Sequence, residues 1–218
     1  MVHSPGVKGR WVEAAGRMTI NPSPSASQQT PGTRFGRTLL TTTLGDPLAQ
    51  EVDALVLGTN RRGLMGAGTA TFIRLTAGPE IEREAMEQAP LDLGDAIATT
   101  SGRLAERGIG LLIHAVVSDE LGGVARSEDV RRAVGSALLV AAERKVRTLA
   151  MPAIGGGTGP EQLPTAVAAE VIVDETISFL RRSTRRFDRI VYVARSTDDQ
   201  AAFEAAIIRG RARSWEDA

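Results

Sequence analysis

Leu57 to Gly78 read LGTNRRGLMGAGTATFIRLTAG. Val52 to Leu57 is an apolar run of strand length, and from Ala70 onward apolar residues recur at the three- and four-residue intervals of a helix. Between them stand Asn60, Gly63, Gly66 and Gly68. A strand, a glycine-rich loop and a helix in this order form the first half of a βαβ unit. The loop then lies at the strand's C-terminal end, where open α/β sheets bind ligands. Glycine lets a backbone adopt positive φ and approach an oxygen atom closely, and amides at a helix N-terminus attract anions. A phosphate or pyrophosphate is the natural guest. The arrangement returns at IGGGTGP, Ile154 to Pro160, again between a strand and a helix. Two such loops on one sheet edge can close on a single ligand. Neither fits a standard nucleotide fingerprint: GLMGAG lacks the dinucleotide spacing and ribose acid, and GGGTGP lacks the P-loop lysine.

Outward from these loops the chain alternates strand-like and helix-like segments. RTLLTTTL, VDALVL, DAIATTS, GLLIHAVV, RTLAMPAI and RIVYVAR read as strands. Residues 70–89, 127–146, 161–182 and 196–211 repeat apolar positions at helical spacing. Ser127 with Glu128 and Asp129, and Ser196 with Asp198 and Asp199, are suited to cap two of these helices. The pattern predicts an α/β fold around a mostly parallel sheet, with no internal repeat. Asn21 to Thr33, NPSPSASQQTPGT, has almost nothing to bury. It divides an N-terminal extension with a partly flexible linker, residues 1–34, from an α/β domain, residues 35–218.

Composition narrows the chemistry. The 218 residues, 42% of them apolar, suit one domain with a continuous core. Zero formal net charge argues against a protein whose main task is neutralising nucleic-acid phosphates. The absence of cysteine removes disulfides, thiolate metal sites and cysteine nucleophiles. His3 and His114 are too few for a metal cluster, no apolar run has membrane-spanning length, and the first residues lack the apolar core of a secretory signal. The expectation is a cytoplasmic protein with no metal, cofactor or membrane partner.

GDPLAQEVDALVLGTN, LMGAGTATFIRLTAGPEI, GDAIATTSGRL, LLIHAVV, LAMPAIGGGTG and RIVYVARSTDDQAAFEAAI, in this order, resemble a macrodomain, the ADP-ribose-binding module, from about Thr38 to Ile208. The resemblance implies a three-layer α/β/α sandwich with a mixed sheet and ADP-ribose in a cleft at the strand ends. It implies a partner that is ADP-ribose, a related nucleotide or an ADP-ribosylated macromolecule, and it leaves open hydrolysis of an ADP-ribosyl or O-acetyl-ADP-ribose bond. Asp46, followed by Pro47, matches the family's acid for the adenine amine; the alternative is that in GDP it simply initiates a turn. Asn60 matches the asparagine near the distal ribose, and its amide is alternatively a local turn cap. Asn60 is the one candidate for orienting a hydrolytic water. Gly66, Ala67, Gly68 and Thr69 match one diphosphate wall, and Gly155, Gly156, Gly157, Thr158 and Gly159 match the other.

The departures are equally specific. Leu57 replaces an asparagine, Ala70 stands where one hydrolytic branch carries an acid, and Gly159 replaces an aromatic residue. Arg195 lies near an adenine-stacking aromatic position, where a guanidinium plane can also stack. Another branch attacks with lysine, but Lys8 falls in the extension and Lys145 ends a helix among arginines. His114, inside an apolar strand, reads as structural, and Asp119 and Glu120 read as solvated loop acids, held as reserve candidates for hydrolysis. The arginines of RRSTRRF, Arg181 to Phe187, and Arg209, Arg211 and Arg213 read as an exposed basic helix end. Trp11 and its neighbours are open to packing on the domain or to self-association.

Overall fold

Seven strands line up in the spatial order β1-β2-β7-β6-β3-β5-β4. They are β1 (Thr33–Phe35), β2 (Thr38–Leu44), β3 (Ala54–Asn60), β4 (Ala96–Thr99), β5 (Leu111–Ser118), β6 (Thr148–Pro152) and β7 (Arg189–Ala194). The computed structural model describes residues 32–157, 159–185 and 187–216. The five inner strands are parallel, and β1 and β4 close the two edges antiparallel. Among the described residues, five α-helices flank the sheet: α1 (Gly68–Ala77), α2 (Glu80–Glu87), α3 (Ser127–Glu143), α4 (Thr165–Arg182) and α5 (Thr197–Glu216).

Strand alternation sorts the core into two layers. Ala54, Val56, Met151, Ile190 and Tyr192 face α3, α4 and α5, where Tyr192 stacks on Phe203 with ring centroids 5.0 Å apart. Leu55, Leu57, Ala150, Val191 and Val193 face the other way, onto Ile73 and Ala77 of α1 and Ile81 of α2. The chain is therefore a three-layer α/β/α sandwich with a mixed, mostly parallel sheet. All six anticipated strands are present; β1, only three residues long, is an addition and straddles the expected boundary at residue 35.

The helices differ in detail from their sequence reading. The segment 70–89 divides into α1 and α2 because Gly78, at φ 122°, ends the first helix, and Pro79 stands before the second without an N–H to donate. The helix expected from residue 161 begins at Thr165, after Pro164. Ser127 is the first helical residue of α3 and makes no cap; Arg126 holds the cap position and Asp129 instead pairs with Arg132 at 2.6 Å. Ser196 does cap α5, its Oγ accepting the Asp199 amide at 3.1 Å. Three arginines of the basic C-terminal patch are paired with acids: Arg182 with Glu175 at 2.9 Å, Arg209 with Glu170 at 3.6 Å, and Arg213 with Asp174. Trp11 and residues 1–31 of the extension lie outside the described residues.

Candidate functional site

The C-terminal ends of β7, β6, β3 and β5 open onto one cleft of about 970 Å³, its solvent-open mouth included. Adjacent strands lie about 4.8 Å apart, so the three steps from β7 to β5 span roughly 14 Å. Crossing the cleft in sheet order, one meets Arg195 and Asp199, then Pro152 to Gly156, then Leu57 to Asn60 with the start of α1, and finally Val117, Ser118 and Leu121 to Gly123.

The first glycine loop is held from both ends. Asn60 is 2% exposed and follows a register shift in the β3–β5 pairing. Its Oδ1 accepts the Arg62 and Leu64 amides at 3.0 and 3.4 Å, and its Nδ2 donates to the Leu64 carbonyl at 2.9 Å. One amide hydrogen of Asn60 remains for a ligand. Gly63 sits at φ 71° against the backbone of α2, where a Cβ would lie 2.8 Å from the Ala85 carbonyl carbon. The next amide, Met65 N, donates to Glu82 Oε1 at 2.7 Å, and Glu82 also pairs with Arg74 of α1 at 3.5 Å. Helix α1 then starts without a side-chain cap. Its first amides have no partner within the helix, and Ala67, Gly68, Thr69 and Ala70 line the cleft. Gly66 stands behind them, under Leu121.

The second loop is more self-contained. Gly155, at φ 71°, leaves no room for a Cβ, which would meet Val130 Cγ2 at 2.5 Å. The Gly156 amide donates to Ala153 O and the Gly157 amide to Leu163 O, both at 3.0 Å. Gly155 and Gly156 line the cleft as surface, whereas Gly157 and Gly159 surround Gln162, which itself reaches the cleft. Thr158 lies outside the described residues.

At the β7 end, Arg195 is exposed on the cleft wall and Asp199 enters from the first turn of α5. Asp46 lies one strand further out, beyond β2, where the Gly45 amide is tied to Ala194 O at 2.9 Å. Its Oδ1 accepts the Leu48 amide at 2.8 Å, and Pro47 is buried, so the turn-initiating chemistry is present. Neither Asp46 nor Pro47 lines the central cleft, and Asp46 is exposed.

The remaining titratable candidates are elsewhere. His114 is buried in β5, with Nε2 2.9 Å from Thr99 Oγ1, and burial lowers its pKa to about 4 against the weaker pull of Glu84. Asp119 pairs with Arg61 at 3.6 Å, and Ser118 Oγ donates to the Glu120 carbonyl at 2.9 Å. Lys145, at φ 60°, lies beyond the end of α3. Asp199 is the one carboxylate and Arg195 the one cation among the described lining residues, and no acid–histidine group suited to a metal occurs among the described residues. Asp199, Ser118, Gln162 and the Leu121–Gly123 loop were not singled out as ligand contacts in the sequence. Each reaches the cleft by long-range packing that local pattern does not encode.

The profile of the family described as Macro domain matches residues 56–172, over half of the chain. The chain belongs to the macrodomain family. An uncharacterized protein from Aquifex aeolicus is 40% identical over 129 residues, covering 59% of this chain and 75% of the relative. An uncharacterized protein from Mycobacterium tuberculosis is 32% identical across 93% of this chain, which spans about half, 54%, of that relative. The O-acetyl-ADP-ribose deacetylase of an Enterobacter species is 29% identical over 76% of this chain and 92% of its own length. In three dimensions, the Trypanosoma brucei macrodomain solved in complex with ADP-ribose superposes with a TM-score of 0.66 at 22% identity, over 77% of this chain and 68% of that one. No helix among the described residues is long and apolar enough to cross a membrane.

Proposed function

We propose that this chain binds ADP-ribose, free or attached to a macromolecule, in the cleft between the two glycine loops. The observation that carries the reading is the uncapped start of α1: its first amides open onto the middle of a cleft whose one end holds a planar cation beside a carboxylate. The diphosphate lies against Ala67 to Ala70 and over Gly155 and Gly156. Adenine takes the β7 end, between Arg195 and the exposed carboxylate of Asp46, and the terminal ribose meets the remaining amide hydrogen of Asn60. Thermal denaturation with ADP-ribose, AMP and NAD tests this on the wild type and on Asp46→Ala. A millimolar ligand of micromolar dissociation constant adds about 4 kcal/mol to the unfolding free energy. The expected result is a clear upward shift with ADP-ribose that shrinks in Asp46→Ala; no shift at millimolar ADP-ribose sinks the reading.

The relative named as a deacetylase supports a second reading, hydrolysis of an ADP-ribosyl or O-acyl bond. The cleft gives it less support, because Asp199, its one lining carboxylate, stands at the β7 end, two strands away from Asn60. Binding is therefore the first function, and any turnover runs on water positioning by Asn60 without a nearby base.

A further inference from the structure

The end of the sheet opposite the cleft is strongly basic. The inner strands all run toward the cleft, so the loops that feed them gather at the other end. Three of these loops, before β2, β7 and β6, lie side by side and are tied together. Leu39 N donates to Asp188 O at 3.0 Å, Asp188 N to Arg147 O at 2.7 Å, and Thr38 Oγ1 to Phe187 O at 2.8 Å. On this base stand Arg34 and Arg37 before β2, Arg185 before β7, and Arg144, Lys145 and Arg147 before β6, all exposed. The acids of the same segments are Glu143 and Asp188, and Arg147 occupies both oxygens of Asp188, at 3.0 and 2.6 Å. In the neighbouring loop, Asp53 turns its carboxylate onto the Arg147 and Thr148 amides, both at 2.8 Å.

Two observations separate this cluster from ordinary solvated charge. The side chains of Arg37, Arg144 and Lys145 reach no acceptor among the described residues. Lys145 also takes the left-handed conformation, φ 60°, one residue beyond the Arg144 cap of α3, where glycine usually stops a helix. A side chain there strains the backbone, so the position carries a charge that folding does not ask for. The chain's zero net charge conceals the cluster because acids collect at the cleft end, Glu128 and Asp129 in the first turn of α3 and Asp198 and Asp199 in that of α5. The ligand chemistry follows from what the face lacks. None of the exposed large apolar side chains among the described residues belongs to these loops, so nothing here inserts into a lipid surface or anchors a protein partner. Phe187 is buried and Phe35 packs against the core, which leaves no ring to stack on an unpaired base.

We propose that this face binds the phosphate backbone of double-stranded nucleic acid without reading its sequence. The loops before β2, β7 and β6 span about 10 Å, and a duplex carries one charge per roughly 1.7 Å of its axis, so the cluster meets several phosphates at once. Guanidinium groups fit phosphate oxygens in pairs. The contact is separate from the cleft, because the length of β2 and β7 puts roughly 20 Å between the two.

Fluorescence anisotropy of a short labelled DNA duplex of mixed sequence, titrated with the full chain over a range of salt, tests the proposal. The wild type should bind with a dissociation constant of about 1–100 μM at physiological salt, its logarithmic affinity falling linearly with logarithmic salt concentration. Arg37→Gln, Arg144→Gln and Lys145→Gly should each make that slope shallower by about 0.9. Lys145→Gly is the stringent variant, because glycine suits the left-handed position and the fold loses no contact. Arg83→Gln, on α2, should leave the slope unchanged. A duplex that stays free at low salt, or a slope that survives the three changes combined, overturns the proposal. Displacement of the duplex by saturating ADP-ribose overturns it too, since that would put the duplex in the cleft. Binding to phosphatidylserine vesicles in place of the duplex does the same.

Discussion

Asn60 shows how one side chain serves both the fold and the site. Its amide satisfies three backbone groups of the loop that follows β3, so Asn60→Ala leaves those groups without partners and should cost about 2 kcal/mol of stability as well as ligand affinity. Chemical denaturation alongside titration separates the two effects; unchanged stability would mean the loop does not depend on this amide. Gly155 is a stricter case, since any Cβ there meets Val130 at positive φ, and Gly155→Ala should destabilise by about 1–3 kcal/mol. His114 sets a pH dependence. Its folded pKa of about 4 lies below the ordinary value of 6.5, so the unfolded chain takes up the proton first and stability is lost as pH falls between those values. The loss approaches about 3 kcal/mol at the low end, at 1.36 kcal/mol per unit. Urea unfolding at pH 7 and pH 4.5 reads it directly, and His114→Gln should flatten the difference.

At the scale of elements, α1 is placed by α2. Glu82 fixes the last amide before the Gly66–Gly68 turn and, through Arg74, the body of the helix that presents the cleft amides. Glu82→Ala should therefore weaken ADP-ribose about tenfold, roughly 1.4 kcal/mol, although Glu82 does not line the cleft. Glu82→Gln, which keeps an acceptor for Met65 N, should retain most of the affinity, and equal losses in the two variants would contradict a positioning role. The inner strands were legible in the sequence because strands buried on both faces read as continuous apolar runs, and VDALVL and LLIHAVV do so. The glycine loops were legible because positive φ demands particular residues. The division of α1 from α2 was missed because apolar spacing continues through Gly78 and Pro79 and outweighed those two breakers. Leu121 carried no local signal at all: in the sequence it is one leucine in a loop, and only the adjacency of β5 to β3 brings it to the cleft wall.

The whole molecule orders its cleft by strand order. β7, β6, β3 and β5 lie side by side although β3 is made first of the four, so the cleft at their C-terminal ends gathers residues far apart in the chain. The same strand order bears on how the chain folds. β2, near the start of the domain, pairs with β1 on one side and with β7 on the other, joining Leu39–Leu44 to Arg189–Ala194 across 150 residues. Contacts so distant in sequence slow folding, since a long loop must close before they repay its entropy. A chain ending at Ser183 retains six of the seven strands but leaves β2 and β6 with bare hydrogen-bonding edges, so it should collapse without a cooperative transition and aggregate on concentration. During synthesis, β2 must wait on the ribosome for its parallel partner until almost the last helix is made.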